Sequence, residues 1–472
     1  MKIEINLSVV LLSLFMVACN QTEDVDTIIG GGDELRIKLE PQEAISISYS
    51  DNNELTDTEA LNILNEFIHF SISPGSRSTS KTFKILNEDF VTIATSKTRA
   101  IDKTENVKFV NIEVDNSDGN QNGFAVVCAD QRYPNVVAFI DNGNIEDINE
   151  NGGGMMLKLS KQAAISQIKA INDIRDSLEL STKEKICNFL RKPVDQFSAD
   201  DLKYIYIDSV KSRGSAVPNP FGTCVASVGP LTQTTWIQGW PCNEYIPEAP
   251  DDSQWNQTQH RKHYPAGCTV VAMAHIASYY KPTIPITEPG YNRNIDWSTA
   301  LAAKDLSYNP LTTTTATKEV ALLMKSIANG CHTTFSEKGG VTSDPNAVSY
   351  MNSIGIQMGS RTDLTYQNIR YSLSDLKLVY ATGQSRMITR SEYLSGSHAW
   401  VIDGYKLIQR SLARQELKQY NVYCHCNFGW VYQENNGWYL FDYNGTISFD
   451  INWGTEIYDI NLKCYPNVTR YR

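Results

Sequence analysis

His263-Tyr264-Pro265-Ala266-Gly267-Cys268-Thr269-Val270-Val271-Ala272-Met273-Ala274-His275-Ile276-Ala277-Ser278-Tyr279-Tyr280-Lys281-Pro282 opens on a turn marked by Pro265 and Gly267. From Thr269 it is apolar on nearly every side until Pro282 stops it, the pattern of a deeply buried helix. Cys268 therefore stands at a helix N-terminus. Unpaired backbone N–H groups and the positive end of the helix dipole favour a thiolate there, drawing a cysteine pKa from about 8.5 toward about 3.5–7.5 once a histidine adds its charge. That combination makes a nucleophile. A cysteine that merely packs at a helix start explains the same placement, so a partner has to be found.

His398 is the best of the seven histidines. In Gly396-Ser397-His398-Ala399-Trp400-Val401-Ile402-Asp403-Gly404-Tyr405 a run of apolar strand residues ends in an Asp-Gly turn, which puts the imidazole at the mouth of a strand. A base on a rigid strand end can face a helix N-terminus across a cleft. A second strand, Tyr423-Cys424-His425-Cys426-Asn427-Phe428-Gly429-Trp430, is followed by an Asn435-Asn436-Gly437 turn and Trp438-Tyr439-Leu440-Phe441. An asparagine near the base can accept its Nδ1–H and fix the ring while aromatic neighbours exclude water. The order Cys, His, Asn, with about 130 residues from Cys to His, is the papain-like arrangement.

The remaining candidates read as structural. His425 shares a strand face with Asn427 and is expected to be a structural imidazole. His275 lies about two helical turns below Cys268 and should be a packed or surface residue. His260 and His263 lack the carboxylates of a zinc site. Cys424 and Cys426 point the same way on one strand, as buried thiols or as partners for Cys331 or Cys464. Glu319 to Gly330 is an amphipathic helix capped by Gly330. Nothing in the chain calls for a metal or a cofactor.

Working outward, 472 residues predict two to four domains, and 41% hydrophobic residues can bury real cores. Forty-two Lys and Arg against 53 Asp and Glu leave a net charge of −11, the wrong sign for a nucleic-acid partner. Ten cysteines without CxxC spacing make neither a disulfide scaffold nor a zinc knuckle. Between about Leu35 and Asp208, short β-rich runs alternate with helical patterns. Leu55 to Phe70 is a helix capped by Thr56 or Asp57. Phe109 to Val114, Phe124 to Val127 and Val136 to Ile140 are strands, and Lys161 to Leu190 is helical, in two pieces broken near Ser181. These pieces make a small α+β domain. Lys211 to Gly222 is basic, rich in Gly, Pro and Ser, and without apolar periodicity: an exposed linker open to proteolysis.

At the N-terminus, a twelve-residue apolar run from Leu7 to Ala18 ends in Met16-Val17-Ala18-Cys19. It is too short to span a bilayer, which takes about 20 residues. Small residues before a Cys resemble the bacterial lipobox, which makes Cys19 a lipid anchor to a bacterial membrane and residues 20–34 a polar tether. An ordinary cleaved signal or a buried strand is the alternative, with Met16 and Glu4 as departures from the lipobox pattern. The expected location is outside the cytoplasm, as an outer-membrane or cell-surface lipoprotein that cutting near Arg213 would release.

Taken together, His263 to Tyr280, Gly396 to Gly404 and His425 to Trp430 resemble the streptopain family of secreted bacterial cysteine proteases. Its signatures are a Gly-Cys opening a buried helix, a Gly-His-Ala-x-Val-x-Asp-Gly strand and a His-x-Asn-x-Gly-Trp strand. Trp236-Ile237-Gln238-Gly239-Trp240-Pro241-Cys242-Asn243 resembles the family's Gln-Gly-x-Pro-x-Asn segment. The resemblance implies Cys268 as nucleophile, His398 as general base and acid, Gln238 as oxyanion donor with the Cys268 backbone N–H, and Asn427 as the residue adjoining His398. Gly267, Ala399, Trp400, Phe428 and Trp430 become cleft candidates. Ser397 separates the family's Gly from its His, Cys242 stands where an aromatic is usual, and Phe428 replaces a Trp.

The match covers about Leu231 to Asp442, and Lys108 to Gly143 looks more loosely like the family's propeptide. The implied fold is α+β: a papain-like catalytic domain of two lobes, one helical and one antiparallel β, over residues 231–472. A small α+β inhibitory prodomain (35–210) and an activation linker (211–230) cut near Lys211 or Arg213 precede it. The implied activity is a cysteine endopeptidase made as a zymogen, with protein or peptide substrates and its own prodomain as intramolecular inhibitor. The alternative is a catalytically inactive surface lipoprotein serving as a binding or adhesion module.

Overall fold

The computed structural model describes residues 28–29, 35–48, 53–69, 81–96, 103–115, 122–145, 148, 153–207, 223–255, 261–306, 313–387, 395–409, 420–429, 436–441, 447–448 and 458–471. The expected lipid anchor Cys19, the processing residues Lys211 and Arg213, the cleft candidate Trp430 and His260 lie outside them. Contacts divide the chain into two compact units, Met1–Ser48 with Ile174–Lys211 and Tyr49–Asp173 with Ser212–Arg472. The helix Gly153–Leu190 contributes to both. Among the described residues no helix is long and apolar enough to cross a membrane.

In the smaller unit, strands Ile28–Ile29, Leu35–Leu39 and Ile205–Ile207 form a sheet, and Ile37, Leu39, Ala44 and Ile186 make its core. Lys185 Nζ bonds Glu43 Oε2 at 2.9 Å, and Ser46 meets Thr182 at 3.1 Å. The expected break near Ser181 is absent, and one helix runs through. The Ser181 hydroxyl turns back to the Leu178 carbonyl at 3.0 Å, and Lys183 pairs with Glu179 one turn away, so the polar residues there are satisfied within the helix.

The larger unit is built on an antiparallel sheet. From one edge the order is Ile356–Gln357, Tyr458–Arg470, Leu378–Met387, Ser395–Gln409, Tyr420–Asn427, Gly437–Leu440, Asn135–Ile140, Gly123–Cys128, Lys103–Asp115 and Thr82–Ser96. The three strands expected upstream are present. They join the later half of the chain through the pairing of Trp438 with Phe139 and Tyr439 with Ala138. Their outer neighbour Thr82–Ser96 went unread, because Asn87, Glu88 and Asp89 interrupt its apolar pattern; Asn87 and Asp89 instead bond the Asn111 side chain across the strands.

Thr56 caps the helix Asp57–Phe67 in a capping box with Glu59, as expected, an arrangement worth about 1 kcal/mol. Its face of Ala60, Ile63, Leu64 and Phe67 is buried, with the Phe67 ring 5.1 Å from Tyr423. A second core surrounds the helix Cys268–Tyr280, whose Val270, Val271, Met273 and Ile276 pack with Val320, Leu323 and Ile327 of the helix Thr315–Gly330 and with Tyr380, Ala399 and Val401 of the sheet. A core of sheet strands beside a core of helices is the expected α+β class.

Two local expectations change. Gly330 is the last helical residue and Cys331 the cap; Gly330 is small because a β-carbon there would lie 2.1 Å from the Tyr350 ring. Asp403-Gly404 is not a turn. The strand Ser395–Gln409 runs through it, with a register shift between Ile402 and Gly404 against Tyr420–Asn427. Such a bulge re-aims one side chain, and here it buries the Asp403 carboxylate.

Candidate active site

Gly267 holds φ +97°, a conformation that favours glycine, and a β-carbon on it would come 2.4 Å from the Gly340 carbonyl oxygen. This close approach sets Cys268 as the first residue of its helix. Cys268 is half-buried and packs on the core that includes Ala399. Cysteine 268 is thereby fixed beside the strand residue that follows His398.

A cleft of about 660 Å³ opens over this junction. Gln238, Cys268, His398 and Ala399 line it together, with the hairpin Thr334–Ser336/Gly339–Val341 and the Leu378–Met387 strand forming further wall. Residues 160 positions apart in the chain thus share one groove, the arrangement required of a nucleophile, its base and an oxyanion donor. Charge gathers along the groove in Lys338, Asp344, Arg361 and Lys463. Arg361 stands 3.6 Å from Asp344, and Lys463 pairs closely with Asp363.

His398 is 3% exposed. Its Nε2 lies 3.0 Å from the Phe428 carbonyl oxygen. A carbonyl only accepts, so Nε2 carries the proton, and in the neutral ring Nδ1 holds the lone pair. Trp400 stacks on the imidazole at 6.2 Å and 9°, and the Phe428 ring sits 5.8 Å away. Trp400 and Phe428 therefore pack on the His398 imidazole as an apolar wall, while Ala399 faces the cleft. The indole that Phe428 lacks costs this bond nothing, because the backbone makes it.

The Asn427 side chain is engaged with another segment. Its Nδ2 donates to the Thr234 carbonyl at 2.9 Å and to Thr232 Oγ1 at 3.3 Å, and its Oδ1 accepts from Asn436 Nδ2 at 3.1 Å. Asn427 therefore ties its strand, next to that of His398, to the segment leading to Gln238. That segment is further held by Ala266 N–H to the Gln238 carbonyl at 2.9 Å and by Trp236 Nε1 to the Ala303 carbonyl at 2.7 Å. Gln238 is 7% exposed, and its Nε2 has no hydrogen-bond partner among the described residues. An unpaired buried donor at a cleft wall is costly unless a ligand or transition state uses it.

The electrostatics depart from the expected thiolate. Burial pushes the Cys268 thiol up, against the opposing hydrogen bonds from Ala399 and Thr269. Burial likewise lowers His398 to about 3, against the bond to Phe428. Desolvation outweighs the helix terminus, raising the thiol and lowering the imidazole.

The other candidates are structural, as read. His275 is fully buried, stacked on Trp236 and 2.7 Å from Thr234 Oγ1. His425 Nδ1 meets the buried Asp403 Oδ1 at 2.6 Å, and Asp403 Oδ2 also accepts from Thr232 N–H at 3.1 Å. His263 Nδ1 bonds the Ile246 carbonyl at 2.6 Å. Cys242 is buried and pushed up to about 12, an inert thiol. Cys424, Cys426, Cys331 and Cys464 are free, with 3.9 Å between the sulfurs of the first two. Asp403, Asn436 and the Phe428 carbonyl were missed because Asp-Gly and Asn-Asn-Gly read as turns and a backbone oxygen has no sequence signature.

A solved structure similar to this chain is that of active wild-type interpain A, a cysteine protease of Prevotella intermedia, at 17% identity and a TM-score of 0.34 over 51% of this chain and 94% of that one. No curated protein matches. Residues 236–439, which contain Gln238, Cys268, His398 and Asn427, match the Peptidase C10 family. This match over residues 236–439 supports a streptopain-like cysteine-type peptidase.

Proposed function

We propose that the chain is an exported cysteine endopeptidase made as a zymogen, with Cys268 as nucleophile, His398 as base and acid, and Gln238 as oxyanion donor. The observation that carries this reading is the sharing of one cleft by these three side chains. As a peptide carbonyl arrives, His398 Nδ1 takes the Cys268 thiol proton while sulfur bonds to the carbonyl carbon and the carbonyl π pair moves to oxygen. Gln238 Nε2–H and the Cys268 backbone N–H receive that oxyanion. The C–N bond then breaks, and the proton on Nδ1 passes to the leaving amine. Water next attacks the thioester, giving its proton to Nδ1, and the C–S bond breaks to return the thiol.

Residues 35–210 act in this reading as the inhibitory prodomain, and 211–230 as the linker cut near Lys211 or Arg213. Two features support it. Gly437–Leu440 takes Asn135–Ile140 as its sheet neighbour. Met155 packs so tightly on Gly383, the register partner of His398, that a β-carbon on Gly383 would lie 2.7 Å from its sulfur. Substrates are proteins or peptides, and Cys19 anchors the precursor to a bacterial membrane until cutting releases it.

The test incubates purified full-length chain and its Cys268→Ala variant, then follows N-terminal sequences and hydrolysis of denatured casein. Wild type is expected to cut itself near Arg213 and degrade casein, while Cys268→Ala accumulates intact. Trimming of both chains alike would assign activation to an outside protease. Absence of casein cleavage by a trimmed wild type would favour the inactive binding module.

A further inference from the structure

We propose that Asn436 is a positioning residue for His398, acting through the Phe428 backbone that it clamps. The inference rests on the reading of Cys268 and His398 as nucleophile and base. Asn436 Oδ1 accepts from the Phe428 N–H at 2.6 Å, and its Nδ2 donates to Asn427 Oδ1 at 3.1 Å. The amide orientations are forced: Phe428 N–H can only donate and the Thr234 carbonyl bonded by Asn427 can only accept. One end of Phe428 is therefore held by Asn436.

The other end is held by Gly429. It adopts φ +67°, and a β-carbon there would lie 2.4 Å from Val271 Cγ1 on the Cys268 helix. Pinned from both sides, the Phe428 carbonyl points at His398 Nε2 and keeps the lone pair on Nδ1. The Asn436 amide bonds the Phe428 backbone and Asn427, so it acts on the imidazole at one remove. The buried Asp403–His425 pair joins the same network farther back, through Thr232 to Asn427. A chain of hydrogen bonds thus links the bulge at Asp403 to the ring of the base, and Asn436 is the link that bonds Asn427 and Phe428 together.

The experiment uses the whole chain with its linker cut by an added protease that is then removed. It measures kcat and KM on a quenched-fluorescent casein, and the iodoacetamide alkylation rate of Cys268 by peptide mass spectrometry. The chains compared are wild type, Asn436→Leu, Asn436→Asp and His398→Ala. Loss of the clamp should lower kcat about tenfold in Asn436→Leu, the worth of one buried hydrogen bond, with KM within about twofold. Alkylation should slow in step. Asn436→Asp still accepts from the Phe428 N–H and should stay within about threefold of wild type. If Asn436→Leu does not fold, Asn436→Ala carries the same expectation. Equal losses in the Asp and apolar variants, a loss confined to KM, or an unchanged kcat would overturn the proposal. An unchanged His398→Ala would instead overturn the nucleophile–base reading on which it rests.

Discussion

Gly267 and Gly340 meet backbone to backbone, so closely that a β-carbon on Gly267 would stand 2.4 Å from the Gly340 carbonyl oxygen. This contact sets the helix start that carries Cys268 against the hairpin wall of the cleft. Gly267→Ala meets both the carbonyl and a φ of +97°, a strain of about 1–3 kcal/mol. The variant should unfold at lower urea concentration and hydrolyse casein at least about tenfold more slowly, because an ångström of misplacement at a nucleophile is expensive. Unchanged activity would mean that Cys268 does not need this contact.

Gln238 keeps a buried Nε2–H at the cleft that has no hydrogen-bond partner among the described residues. Replacing it with alanine should lower kcat about 10²–10³-fold with little change in KM, as for other donors aimed at developing negative charge. A change in KM alone would make Gln238 a substrate-binding group.

The upward shift of Cys268 and the downward shift of His398 have a pH signature. With the Cys268 thiol pushed up and His398 near 3, the thiolate population of the unprocessed chain grows only toward alkaline pH. Iodoacetamide alkylation of Cys268 should therefore climb from about pH 6 to about pH 9 without levelling off. A flat rate reaching down to about pH 5 would reveal a preformed thiolate–imidazolium pair.

His275 makes the interior sensitive to acid. Burial holds it at about 4 against an ordinary 6.5, with the Asp403 charge opposing. The folded state keeps this ring neutral, so the unfolded chain binds the proton first. The stabilisation is complete above 6.5 and is lost as pH falls toward about 4. His398 acts with the same sign down to about 3. Urea midpoints should drop between about pH 7 and about pH 4.5, less steeply in His275→Gln than in wild type. Equal slopes would remove His275 from the acid response.

Much of the site could be read from the chain because its signals are local. An all-apolar run behind Pro265 and Gly267 can only be a buried helix, and Thr56 with Glu59 spells out a cap. What stayed hidden depends on distant partners. Tyr423 and Val136, 287 residues apart, share a hydrogen bond across the joined sheets, and no spacing reveals that. Asp403-Gly404 carries the same dipeptide whether it turns a chain or bulges a strand; only the neighbouring strand, His425 and Thr232 decide. For the same reason a sequence displays the helix start at Cys268 and not the burial around the sulfur that pushes the thiol up.

The central claim is that one sulfur and one imidazole carry the hydrolysis. Casein hydrolysis per molecule, measured side by side for wild type, Cys268→Ala and His398→Ala after equal linker cleavage by an added protease that is then removed, tests it most directly. The account predicts that both variants fall to background while keeping the wild-type circular dichroism. Retained hydrolysis in either folded variant would contradict it.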